Sequence, residues 1–259
     1  MTNTSLAYYL KVLRLPTFLS RYESIAERSV SQNAGYEKFL LDLSEEEVLA
    51  RQSRAIQIKV RKAKFPSVKM LDSFEFAAIP SLNKQKVIEL SKCEYITKHA
   101  NVIMLGNSGT GKTHIAISLG LAACQQGKSV LFVQATHLTH SLLEAHKEHE
   151  LLRLQRKLAK IDLLIIDELG FVPFSKAGAE LLFDVLSKRY EAGSCIITSN
   201  LPFPEWTQIF GCERLTGALL DRLTHHVHIL EMNGESYRLT SAKKAKHKTE
   251  GASTAKKDK

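Results

Sequence analysis

The chain has 259 residues, enough for one large domain with an appendage or two small domains, and its 44% hydrophobic content and mean hydropathy of −0.13 fit a soluble globular protein. It holds no run of about 18 apolar residues, and Met1–Leu10 has neither a basic start nor a small-residue cleavage site, so the sequence predicts no membrane span, no signal peptide and a cytoplasmic location. The net charge of +9 favours polyanionic partners only weakly, because the stretch after Thr240 carries seven lysines against Glu250 and Asp258 and leaves the rest near +4. Cys93, Cys124, Cys195 and Cys212 are scattered without a C-x-x-C pair, which predicts reduced thiols and neither a zinc knuckle nor a disulfide framework.

Residues 1–65 read as a small all-helical domain that recognises DNA or a partner. Apolar residues recur at helical spacing in three stripes, at Leu6/Leu10/Leu13, Phe18/Tyr22/Ile25 and Tyr36/Phe39/Leu40/Leu43. Ser44 followed by Glu47 resembles a capping box, which predicts a fourth helix from there to about Lys64. That helix carries Arg51, Arg54, Lys59, Arg61, Lys62 and Lys64, either as a duplex-contacting face or as a solvated one. Phe65-Pro66 marks a boundary. The aromatic stretch Leu71–Phe76 then packs beside a nucleotide base or between domains, and a helix spans about 81–94.

From residue 101 strands and helices alternate. The predicted strands are 101–105, 129–134, 162–167, 194–200 and 226–231, with helices at about 113–126, 136–160, 176–191 and 213–224. Three of the strands are nearly continuous apolar runs, as parallel strands covered on both faces require. The fold class is therefore α/β, a three-layer domain over about 66–240 with a central parallel five-stranded sheet.

Gly106-Asn107-Ser108-Gly109-Thr110-Gly111-Lys112-Thr113 matches G-x-x-x-x-G-K-[ST], between an apolar strand and an apolar helix. Its glycines permit conformations in which successive N–H groups turn inward, and these donors, with the positive helix end, hold phosphate oxygens. Lys112 then reaches the β- and γ-phosphates of ATP and the Thr113 hydroxyl ligates Mg2+. About fifty residues on, Leu163–Ile166 ends in Asp167-Glu168, the pattern of a Mg2+-holding aspartate followed by a glutamate that deprotonates the attacking water. The next strand ends Thr198-Ser199-Asn200; if it lies between the other two, Asn200 faces the γ-phosphate and can position the water. His137/His140 and His146/His149 have i, i+3 spacing, but no acidic or thiol partner completes a metal site.

Gly106–Thr113, Leu163–Glu168, Thr198–Asn200, Leu219–Leu223 and Gly234–Leu239 together resemble the AAA+ ATPases of the DnaA/DnaC clade, and among them the IstB-like helper ATPases of insertion-sequence transposition. The resemblance covers about residues 1–240. It implies that Asn200 is sensor I, that Arg222 is an arginine finger acting on the neighbouring subunit's ATP, and that Arg238 is a sensor II residue acting in cis. It further implies ATP-dependent, largely sequence-independent binding to duplex DNA, a homo-oligomer with ATP sites at subunit interfaces, and recruitment of a cognate transposase. An additional helical element before the acidic strand fits within His137–Lys160, with Lys147, Arg153, Arg156, Lys157 and Lys160 as DNA contacts. Only about 20 residues follow Arg238, so no full C-terminal lid is expected; 241–259 reads as a disordered basic tail. A DnaC-like helicase loader would share this engine. A metabolic P-loop kinase would not need the Asp167-Glu168 pair, Asn200 and the late arginines together.

Overall fold

The computed structural model describes residues 2–234, 236 and 237. Its contacts divide the chain into two units, one ending at Ile58 and one beginning at Lys59, ahead of the Phe65-Pro66 dipeptide. The first unit contains α1 (Thr2–Val12), α2 (Pro16–Ser31) and most of α3 (Tyr36–Ala63). Pro16 opens α2, where its fixed φ suits a first helical turn and its missing N–H costs nothing.

The capping box expected at Ser44 is absent. No glycine or proline interrupts Tyr36–Ala63, and α3 runs unbroken through 28 residues. Ser44 Oγ instead donates to its own helix at Leu40 O, 2.8 Å away. Glu47 is buried, and its Oε2 accepts from Thr17 N at 2.9 Å, so it caps the first turn of α2 rather than starting a helix of its own. Its Oε1 accepts from Arg51 Nε at 2.6 Å, and Arg51 also donates to Arg14 O at 2.7 Å. Arg51 and Arg54, placed by the sequence on one basic face, are thus both turned towards Glu47.

The second unit is built on a parallel sheet in the order β2-β3-β4-β1-β5. The strands are β1 (Asn101–Leu105), β2 (Val130–Gln134), β3 (Leu163–Leu169), β4 (Ser194–Ser199) and β5 (Val227–Glu231). The central strands are buried along nearly all of their apolar stretches, as near-continuous apolar runs in parallel strands require. One face of the sheet, with Val102, Met104, Ile165 and Ile196, packs on α4 (Lys84–Ser91), α5 (Glu94–Thr97) and α6 (Lys112–Gln125). The other, with Ile103, Leu164, Ile166 and Ile197, packs on α7 (Ala135–Lys147), α8 (Leu151–Ala159), α9 (Lys176–Arg189), α10 (Trp206–Phe210) and α11 (Glu213–Thr224). Among the described residues no helix is long and apolar enough to cross a membrane.

Two predicted helices are divided. The one expected over 136–160 breaks into α7 and α8 at Glu148–Glu150, where His149 takes the left-handed conformation (φ 60°). The one expected over 81–94 starts at Lys84, with Asn83 Oδ1 capping Lys86 N at 3.1 Å, and ends at Ser91. Cys93, at φ 59°, separates it from α5. The sequence pattern also gave no sign of α10, a short helix that buries Trp206 completely.

Candidate nucleotide-binding and hydrolysis site

The loop from Gly106 to Lys112 closes at the carboxyl end of β1. Gly106, Gly109 and Gly111 have φ of 149°, 82° and 88°, which L side chains rarely adopt. Each is also crowded: a Cβ on Gly106 would meet Met232 O, on Gly109 the Ser236 side chain, and on Gly111 the Phe74 ring at 2.6 Å. The loop is tied to its neighbours by Gly106 N to Ser199 O (3.3 Å) and Tyr237 N to Gly109 O (3.0 Å). Lys112, largely buried, lies inside the curve and donates to Gly106 O and Asn107 O at 2.6 and 2.7 Å. Thr110 Oγ1 donates to Asn107 O at 2.9 Å, closing the turn.

β4 lies between β1 and β3. That order brings the two motifs together. Thr113 Oγ1 is 3.0 and 3.1 Å from the two carboxylate oxygens of Asp167, which is buried at the end of β3. The Thr198 hydroxyl, buried at the end of β4, donates to Asp167 Oδ1 at 2.6 Å and accepts from Glu168 N at 2.9 Å. Glu168 interrupts the strand: its φ is 58°, and the β3–β4 register shifts between Ile166 and Leu169. The bulge turns the Glu168 side chain out of the buried alternation, leaving it exposed beside buried Asp167 and Leu169. A non-glycine residue held in this region stores local strain, on the order of 1 kcal/mol or more. Gln134 Nε2, at the tip of β2, donates to Glu168 Oε2 at 3.1 Å.

Lys112, Thr113, Glu168, Thr198 and Asn200 all border one cavity of about 710 Å³. Asn200 is exposed at its rim, just beyond β4. The opposite wall includes Ser73 and Phe74; the Phe74 ring stands edge-on to His114 of α6, 5.3 Å between centroids, and His114 Nε2 lies 2.9 Å from Met70 O. The Leu71–Phe76 stretch therefore walls the cavity. Thr198 and Gln134 were not singled out by sequence. Their one signal is a polar residue ending an apolar strand, which most turns share.

The donor set fits a nucleoside triphosphate with a divalent cation. A glycine cradle that no Cβ could enter, an ammonium inside it, and a hydroxyl beside a buried carboxylate supply anion and cation contacts together.

Arg222 is elsewhere. It sits on α11, with its guanidinium 5.2 Å from the Phe183 ring centroid and Nη1 donating to Ala218 O at 2.9 Å. It borders a recess with Asn101, the first residue of β1, and so lies at the sheet end opposite the phosphate loop. Arg238 and the 241–259 tail lie outside the described residues. The element between β2 and β3 ends in α8, which seats Leu158 in the core and anchors Gln155 Nε2 to Asp184 at 2.6 Å. Its outer side lines a groove with Arg153, Arg156, Lys157 and Lys160. The buried guanidinium of Arg189 holds the end of α8 by donating to Leu158 O and Ile161 O at 2.8 and 2.9 Å.

A parallel sheet in this order, with the Gly-rich loop after β1, an Asp-Glu pair on β3 and a polar strand tip between them, defines an AAA+ P-loop ATPase. Within that class the chain belongs to the family described as IstB-like ATP binding protein, whose profile matches residues 8–245. It is 39% identical over 231 residues to a protein of Geobacillus stearothermophilus named for ATP binding in insertion sequence IS5376, covering 89% of this chain and 92% of that one. It is 37% identical over 236 residues to the corresponding IS21 protein of Pseudomonas aeruginosa, covering 91% and 89%. Among solved structures, AMPPCP-bound DnaA from Aquifex aeolicus superposes with a TM-score of 0.55 at 19% identity, covering 65% of this chain and about half (51%) of that one. DnaI superposes with a TM-score of 0.51 at 15% identity, covering 65% and 89%. At such identities the structural likeness is one of fold alone.

Proposed function

We propose that this chain is the ATP-driven assembly factor of an insertion sequence: with ATP and Mg2+ it oligomerises on duplex DNA, largely without regard to sequence, and recruits and stimulates the cognate transposase in the cytoplasm. The names of its relatives support the insertion-sequence setting. The observation that carries the reading is the position of Arg222. No arginine lines the cavity among the described residues, while Arg222 stands at the far end of the same sheet. Read as acting on a neighbouring copy, Arg222 leaves the site divided between copies and makes hydrolysis a property of the assembly.

Thr113 and Asp167 would hold the Mg2+, which when bound would supply positive charge against the phosphate oxygens. The loop N–H groups and Lys112 bind and orient the triphosphate. Glu168 takes the proton from the attacking water, and Asn200 positions that water from the rim. Arg222 of the next copy balances the charge that develops, with Arg238 as its counterpart in cis.

Duplex DNA is assigned to the groove along α8. Replacing Arg153, Arg156 and Lys157 with alanine should weaken duplex binding and lower the salt slope by roughly one unit for each phosphate no longer neutralised, leaving ATP binding unchanged. An unaltered slope would remove DNA from that groove.

A further inference from the structure

Just past Glu168 the chain presents an aromatic side chain to water. Phe171 is 73% exposed and Val172 is 47% exposed, although Leu169 is fully buried. Their turn is well defined. Gly170 at φ 99° reverses the chain, and a Cβ there would come within 2.8 Å of Ile209 Cδ1. Phe171 N donates to Glu168 O at 3.3 Å, and Phe174 N to Ile209 O at 3.0 Å. A held turn that exposes a phenyl ring at the rim of a catalytic cavity has the character of a docking contact.

We infer that Phe171 is the contact through which a second copy of this chain docks over the ATP cavity, with the recess around Arg222 as the receiving surface. The inference rests on the divided site described above. Two features of the recess match the rim. Lys98 and Arg222 border it against the single acid Glu191, a basic surface suited to a rim that holds Glu168 and a triphosphate. Tyr190, whose ring stands 5.8 Å from His225 and whose hydroxyl lies 3.2 Å from His225 Nδ1, offers an ordered aromatic ledge for the phenyl group. The two surfaces are different patches at opposite ends of one sheet, so the contact is head-to-tail and repeats from copy to copy. Because the Phe171 amide bonds to Glu168 O, docking also fixes the backbone of a glutamate already held at φ 58°. Phe171 is thus a positioning residue: it couples arrival of the neighbour's arginine to the orientation of Glu168.

The test uses Phe171→Ser in the full chain. Binding of a fluorescent ATP analogue to the dilute chain should match wild type. Assembly with a non-hydrolysable analogue should require about tenfold more protein or worse. Turnover per chain should fall with little change in KM for ATP, and Phe171→Tyr should restore both. In a Cys212→Ser background, mixing Phe171→Cys with Tyr190→Cys chains should give cross-linked pairs with the ATP analogue and few with ADP. Phe171→Ser assembling at wild-type concentration would overturn the inference. So would normal assembly with loss only of transposase stimulation, which would give the surface to the transposase. If wild-type chains fail to assemble with the analogue, the divided-site reading falls first, and this inference with it.

Discussion

Thr198 Oγ1 and Asp167 Oδ1 are 2.6 Å apart, and the same hydroxyl receives Glu168 N at 2.9 Å. One buried side chain from the neighbouring strand therefore fixes both acids, the buried aspartate through its carboxylate and the glutamate through its main chain. Thr198→Val keeps the shape and removes both bonds, leaving a buried carboxylate short of one donor at about 1–3 kcal/mol. ATP turnover should fall roughly tenfold or more, with a smaller loss of ATP binding. Single-turnover hydrolysis and nucleotide titration separate the two; unchanged turnover would mean that Thr198 does not hold the acids in place.

Glu168→Gln should bind ATP normally and hydrolyse it about 10²–10⁴-fold more slowly, the usual cost of losing a general base. The variant should accumulate in its ATP-bound assembled form. Hydrolysis at the wild-type rate, followed by phosphate release, would assign the base elsewhere.

Arg222→Ala should bind ATP and lose hydrolysis. Lys112→Ala, which loses the ammonium inside the loop, should lose ATP binding and retain an intact Arg222 surface. Mixing the two inactive chains creates interfaces with one bound ATP and one arginine, so activity should reappear in proportion to mixed interfaces. Complete silence at every ratio would contradict action of Arg222 across the interface.

Glu47 gives the helical unit a defined acid sensitivity. Burial pushes its carboxyl up, but hydrogen bonds from Arg51 and from Thr17 outweigh that and bring it from 4.5 down to about 2. A depressed carboxyl stabilises the fold above its unfolded value, and that contribution is lost as pH falls from about 4.5 through about 2. Glu47→Gln should flatten stability across that window, and Glu47→Ala should cost about 1–2 kcal/mol at neutral pH through the lost cap on α2. Denaturant melts followed at the helical band, from pH 6 to 2, check both.

The sheet and its strands were legible because parallel strands buried on both faces are written as unbroken apolar runs, and the phosphate loop because its glycines have few other uses. Asp167, Glu168 and Asn200 stand out in sequence as the polar ends of apolar strands, which the order β3-β4-β1 brings side by side with the loop. What stayed hidden depends on tertiary partners. Ser44–Glu47 has the local pattern of a cap, yet Glu47 serves Thr17, thirty residues away in sequence. The break at His149 has no glycine or proline to announce it. Gln134 and Thr198 acquire meaning only through the acids beside them, and no local pattern in the sequence marks Phe171 as exposed.

The most direct test of the proposed function measures binding to a random-sequence duplex and its matching single strand, with an ATP analogue, ADP or no nucleotide, while particle size is followed. Large assemblies on the duplex with the ATP analogue alone are the predicted result. Preference for the single strand would point to a helicase loader, and absence of DNA binding in every nucleotide state would contradict the proposed function outright.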